Sequence, residues 1–186
     1  SCIVTTPYEN LHILPSSLDL AAAELEISDK KGRESILKNA LLPIKQYYDY
    51  IIIDCPPSLG LITTNALTAS DTFLVPIQCE YYALEGLTQL MSTVRRIKRQ
   101  YNNTIDIEGV LLTMYDGRLN LTQQVVEEVK KFFPRKVFKT VIPRGVRLSE
   151  APSFGMPVIY YDKNCKGSIT YTELAKEIIA KERSYE

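Results

Sequence analysis

The sequence has no apolar run long enough to cross a bilayer. Stretches such as Tyr50 to Ile53 and Val110 to Leu112 fall far short of the roughly 20 residues that a membrane helix needs. Ser1 begins neither a signal nor a transit peptide, so a cytosolic chain is expected. Cysteine is scattered: Cys2, Cys55, Cys79 and Cys165 form no C-x-x-C pair, which argues against a zinc site or a disulfide framework and for reduced thiols. Histidine is almost missing. The single one, His12, sits between apolar residues in a strand-like stretch, where a structural role outweighs ligation, and it is assigned no chemistry. Net charge is absent as well, with 22 Lys/Arg against 22 Asp/Glu, which speaks against a wholly basic nucleic-acid coat protein. The balance is uneven, however. Residues 1–60 carry five Lys/Arg against eight Asp/Glu, whereas 115–147 carry eight against three, a local excess of +5. That segment suggests one surface for a polyanion.

What the sequence does contain is a regular alternation. Leu11 to Leu14 reads as a short strand stopped by Pro15, and Ser16-Ser17 offers capping hydroxyls to a helix from Leu18 to about Ile27. Apolar residues at helical spacing from Arg33 to Tyr48 predict a helix that Pro43 interrupts. The continuously apolar Tyr50-Ile51-Ile52-Ile53 reads as a parallel strand buried on both faces, and Thr72 to Ile77, Ile107 to Met114 and Val137 to Ile142 repeat that character. Helical patterns lie between and after them, at Leu84 to Ile97, Leu121 to Phe133 and Leu174 to Ile179. The length of 186 residues suits a single domain, 1–186. The predicted class is α/β, a doubly wound, mainly parallel sheet with helices on both faces, whose ligand sites lie at the carboxyl ends of the strands. Pro143 to Lys166 is the longest stretch without clear periodicity, and long ordered loops are commonly functional. Lys30-Lys31-Gly32 and Lys166-Gly167-Ser168 read as ordinary loops.

Asp54 follows an apolar strand and precedes Cys55-Pro56-Pro57-Ser58, a placement like that of a Walker B carboxylate at the sheet's carboxyl edge. Such a carboxylate holds Mg²⁺ through water in nucleotide hydrolases; an Asp that caps the turn into the helix from Leu61 is the plainer alternative. The run YDYIIIDCPPSLGLITTNALTASDTFLVPIQCEYYALEGL, followed in order by IEGVLLTMYDGRLNL, KVFKTVIPRGVRLSEAPSFGMPV and GSITYTELAKEI, closely resembles the ParA/Soj family of deviant Walker partition ATPases. Long, unusual strings in the family's order and spacing make the match specific, and it covers nearly every residue from Asn10 onward.

The resemblance implies a P-loop NTPase-like fold without its first βα unit. It also implies a chromosome or plasmid partitioning ATPase whose ATP-bound homodimer binds DNA without sequence preference and is released after a ParB-type partner stimulates hydrolysis. It points to Asp54 for magnesium and switch II, to Met114, Tyr115, Pro143, Arg144 and Glu80 for nucleotide, and to Arg118 and Arg147 for DNA. Guanidinium groups suit phosphate oxygens without reading a base. Lys130, Lys131, Arg135, Lys136 and Lys139 are candidates to widen that patch, whereas Arg95, Arg96, Lys98 and Arg99 read as a solvated helix face. Gly145 stands where relatives usually carry Asn.

There is no G-x-x-x-x-G-K-[ST] string in these residues, so the phosphate-cradling amides and the catalytic residues are expected upstream of Ser1. The chain alone is expected neither to hold ATP and Mg²⁺ tightly nor to hydrolyse ATP. A hydrolysis-deficient ParA-like binding or scaffold protein is the alternative. A membrane-cycling MinD-type relative would need a basic amphipathic C-terminal helix, which the balanced tail AKERSYE does not suggest, and a bacterial tyrosine kinase would need a tyrosine cluster where only Tyr185 stands. The expectation is therefore a cytoplasmic, nucleoid-associated protein with no membrane partner.

Overall fold

β-branched and aliphatic side chains at 72–78 and 106–113 build the longest ladder among the described residues, a parallel pair in which Thr72 faces Asp106 and Gln78 faces Thr113, with a register shift between Phe73 and Leu74. The computed structural model describes residues 2–80 and 83–182, without the side chains of Ala21 and 83–85. Its elements are β1 (Val4–Thr5), β2 (His12–Ile13), α1 (Asp19–Glu26), α2 (Ile36–Leu41), α3 (Leu61–Ala69), β3 (Thr72–Gln78), α4 (Ala83–Gln100), β4 (Asp106–Thr113), α5 (Asn120–Phe132), α6 (Val146–Glu150), α7 (Val158–Tyr161) and α8 (Lys166–Glu182). They gather into two compact units, Ser1–Ala69 and Ser70–Glu186.

In the first unit, β1 and β2 pair antiparallel around a turn in which Asn10 takes a φ of 59°, a conformation that Asn tolerates because its short side chain bonds locally. His12 is exposed, and its Nδ1 lies 3.0 Å from the Tyr48 hydroxyl. The expected serine cap is not in place: Leu18 holds the N-cap position without a side-chain bond, and the Ser17 hydroxyl one residue earlier accepts the Asp19 N–H at 3.3 Å. Pro43 interrupts the helix from Arg33 as its ring dictates, leaving α2 flanked by short 3₁₀ turns at Arg33–Ser35 and Lys45–Tyr47. Asn65 on buried α3 ties that segment down. Its Oδ1 accepts the Leu37 N–H at 3.1 Å, and its Nδ2 donates to the Arg33 and Leu61 carbonyls at 2.7 and 3.0 Å.

The sequence expectation fails at Tyr50 to Ile53. These residues form no strand, and Ile52 is 92% exposed. A parallel strand exists only through its neighbours' hydrogen bonds, and no strand pairs with this segment among the described residues.

The second unit carries the doubly covered sheet. On β3 and β4, Val75, Ile77, Val110 and Leu112 pack with Leu87 of α4 and with Val125 and Val129 of α5. Leu111 points the other way, to Phe138, Ile142 and Leu174 of α8, as period-two alternation requires. Val110 and Leu112 are 0% and 1% exposed, and each such burial contributes about 1.5–3 kcal/mol.

Val137 to Ile142 lies parallel to β4 as expected but does not make a full ladder; single bridges join Val110 to Val137 and Tyr115 to Pro143. Two of its amides are held from α8 instead. The Lys139 and Thr140 N–H groups donate to the Glu177 carboxylate at 2.7 and 2.9 Å. Lys166-Gly167-Ser168 is not a loop but the first turn of α8. Gly167 lets that turn press against α6, since a Cβ there would lie 2.6 Å from Leu148 Cγ. The span from Pro143 to Lys166 is likewise built, from α6, a 3₁₀ turn at Ala151–Phe154 and α7.

Candidate functional site

The carboxyl ends of β3, β4 and the segment after Val137 meet at one edge of the second unit. The Cys79 N–H donates to the Thr113 carbonyl and the Tyr115 N–H to the Ile142 carbonyl, both at 3.1 Å. Immediately after β4 the chain turns sharply at Met114, whose φ is 51°. That turn leaves Met114 41% exposed and sets Tyr115 opposite Pro143. The next residue, Arg144, donates from Nη2 to Glu80 Oε1 at 3.0 Å, joining the turn at 143–145 to the end of β3. Five candidate nucleotide residues, Met114, Tyr115, Pro143, Arg144 and Glu80, therefore converge on one edge although Glu80 and Arg144 are 64 positions apart.

Arg118 lies just beyond, on the turn into α5, and is not free. Its backbone N–H and its Nε donate to Asp116 Oδ1 at 3.1 and 2.9 Å, and its Nη2 donates to Oδ2 at 2.6 Å. Those bonds, with the charges of Arg118 and then Arg144, hold the Asp116 carboxyl at about 2. Arg147 on α6 is paired in the same manner, with Nη1 2.8 Å from Glu150 Oε2 and Nε 3.5 Å from Asp162 Oδ2. The Tyr161 hydroxyl donates to the same Glu150 oxygen at 3.1 Å. Sequence reasoning did not single out Asp116, Glu150 or Asp162. The adjacency of Asp116 to Arg118 was a usable signal; the approach of Asp162 to Arg147 exists only in the fold.

Lys136 does not join this edge. Its Nζ bonds Asp106 Oδ2 at 3.1 Å and the Ile107 carbonyl at 2.9 Å, at the opposite end of β4, about 23 Å away along the strand at 3.3 Å per residue. Lys131 is bound to Glu128 at 2.6 Å. Gly145 has an extended φ of −156°, which any residue adopts, and a Cβ there would come no closer than 3.8 Å to its neighbours. An Asn at that position would fit, so the Gly answers no steric need.

Asp54 belongs to the first unit and is exposed. Its charge, after partial desolvation, pushes the neighbouring Cys55 thiol up. No group of three or more potential metal-ligating side chains exists among the described residues. A lone exposed carboxylate does suit Mg²⁺ held through water and substrate phosphates, the usual arrangement for that ion, rather than a cage of protein ligands. The four cysteines are free. No helix among the described residues is long and apolar enough to cross a membrane. The tail after Glu182, Tyr185 included, lies outside the described residues.

A protein-family model described as an AAA domain matches residues 1–107. The chain is 60% identical over 178 residues to the sporulation initiation inhibitor protein Soj of Bacillus subtilis (strain 168), spanning 96% of this chain and 70% of that protein. It is 49% identical over 182 residues to the chromosome-partitioning ATPase Soj of Treponema pallidum (strain Nichols), spanning 98% of this chain and 72% of that one. Among solved structures, a cobyrinic acid a,c-diamide synthase from Mycobacterium smegmatis with bound ADP and magnesium superposes with a TM-score of 0.84 at 33% identity, covering all of this chain and 68% of that chain.

Proposed function

The chain belongs to the Soj/ParA family of chromosome-partitioning proteins, and from that premise we propose that it forms the C-terminal part of an ATP-driven DNA-binding switch. In this reading both units belong to one nucleotide-binding domain. The parent polypeptide hydrolyses ATP in the cytoplasm, ATP clamps two copies into a dimer, and the dimer rests on nucleoid DNA until a ParB-type partner stimulates hydrolysis. The observation that carries it is the convergence of Met114, Tyr115, Pro143, Arg144 and Glu80 at the carboxyl ends of three parallel segments, where open α/β sheets bind their ligands.

Each residue has a role that its own chemistry supports. Met114 and Tyr115 offer an apolar face and Pro143 a rigid one to the adenine side of ATP, while the Arg144–Glu80 pair fixes the spacing between the two loops. Asp54 is the residue that would hold Mg²⁺. Magnesium-bound ATP would supply the phosphoryl chemistry, and these 186 residues contain no G-x-x-x-x-G-K-[ST] string of their own to cradle its phosphates. Arg118 and Arg147 meet DNA phosphates, an interaction whose strength falls steeply with salt and ignores sequence.

The test is duplex binding by the full natural polypeptide in ATP and Mg²⁺, with Arg118→Ala and Arg147→Ala combined. The proposal predicts loss of affinity by more than tenfold at constant dimer fraction. Unchanged affinity would overturn the DNA assignment.

A further inference from the structure

Both candidate DNA arginines are held by carboxylates in the same style, and at Arg118 the grip is bidentate. Asp116 is anchored by the turn itself, because its Oδ1 also accepts the Arg118 backbone N–H at 3.1 Å. The Arg118 head, 88% exposed, is the part free to leave. Of its five N–H donors, Nε and one on Nη2 point at the carboxylate, so a phosphate arriving at this face meets a nearly neutral pair with part of its fork already occupied. Asp116 also lies within the field of Arg144, so its charge is shared between the DNA arginine and the arginine that joins the loops of the carboxyl edge.

Resting on the DNA reading above, we infer that Asp116 sets the protein's duplex affinity by competing with phosphate for the Arg118 guanidinium. Glu150 does the same more weakly for Arg147, which keeps Asp162 at 3.5 Å as a second carboxylate. Each phosphate contact then exchanges one carboxylate for another oxyanion rather than gaining a free cation. An exposed ion pair is weak, so the exchange is readily reversible, which suits a protein that must attach and let go repeatedly.

The experiment measures fluorescence anisotropy of a labelled random-sequence duplex across a salt series, with the full natural polypeptide in ATP and Mg²⁺. Asp116→Asn keeps the shape and the acceptor for the Arg118 amide while removing the charge. Asp116→Ser, which also keeps a short acceptor, is the second variant, and both are checked for an unchanged melting temperature. The expected result is binding about two- to fivefold tighter at low salt, a salt slope steeper by up to about one unit, and disappearance of the gain when Arg118→Ala is added. A gain of smaller size is expected for Glu150→Gln. Unchanged or weaker binding by both Asp116 variants overturns the inference, as does a gain that survives Arg118→Ala. If Arg118→Ala with Arg147→Ala leaves wild-type affinity intact, the DNA reading itself falls, an outcome that the arginine variants alone reveal.

Discussion

Glu177 on α8 should be worth more to this fold than an ordinary surface carboxylate. Its two oxygens accept the Lys139 and Thr140 amides at 2.7 and 2.9 Å, replacing the ladder partners that this stretch lacks. Partial burial pushes its carboxyl up, but those two amides, the Thr140 hydroxyl and the Lys139 charge outweigh it and hold the group below the ordinary glutamate value. Glu177→Gln turns one acceptor into a donor aimed at an N–H and removes charge assistance from the other bond. Charge-assisted bonds are worth about 1.5–3 kcal/mol when shielded; these are half-exposed, so the expected loss is about 1–2 kcal/mol at pH 7.

The sign of the pH dependence follows. A carboxyl whose folded value is depressed stabilises above its unfolded value, near 4.3, and loses that contribution as pH falls through the folded value. The gap between wild type and Glu177→Gln should therefore be full at pH 7 and close below about pH 4.3. Urea unfolding at stepped pH measures the gap, and hydrogen exchange at the Lys139 and Thr140 amides locates it. A difference under about 0.5 kcal/mol at pH 7, or one that persists unchanged into acid, would mean that Glu177 does not hold this stretch.

Gly109→Ala would place a Cβ 2.5 Å from Phe138 Cε2 and 3.0 Å from the Lys136 carbonyl, and should cost about 1–3 kcal/mol by overpacking. Combining it with Phe138→Leu should give less than the sum of the two losses in chemical denaturation, because the second change relieves the clash made by the first. Asn65→Ala strips the Leu37 amide and the Arg33 and Leu61 carbonyls of their side-chain partner. It should destabilise the chain by about 2–3 kcal/mol in urea unfolding, with faster hydrogen exchange at Leu37.

How much of this was legible in the sequence depended on whether the cause was local. The helices from Leu84 and Leu121 and the strands at Thr72 and Ile107 appear within a few residues of their expected limits, because amphipathic period and β-branching are local properties. The class and the covering of both sheet faces followed from them. Tyr50 to Ile53 failed because a strand is made by neighbours, and apolarity alone provides none. Lys166-Gly167-Ser168 was read as an ordinary loop, yet it opens α8 and its glycine serves contact with Leu148.

At the candidate site, the strand-end positions of Met114, Tyr115 and Pro143 were readable from order alone, whereas the Glu80–Arg144 pair required folding. The basic excess at 115–147 was a true sum and a poor map. Lys136 belongs to the far end of β4, and Arg118 and Arg147 carry their own carboxylates. Linear charge counting cannot see either fact.

The most direct test of the central claim, that this carboxyl edge faces ATP, is hydrogen exchange of the full natural polypeptide with and without ATP and Mg²⁺. The amides of 113–118 and of 142, 144 and 145 should slow together on nucleotide addition, and Arg144→Ala should weaken the effect in both loops. Nucleotide binding that leaves both loops exchanging at their free rates would contradict it.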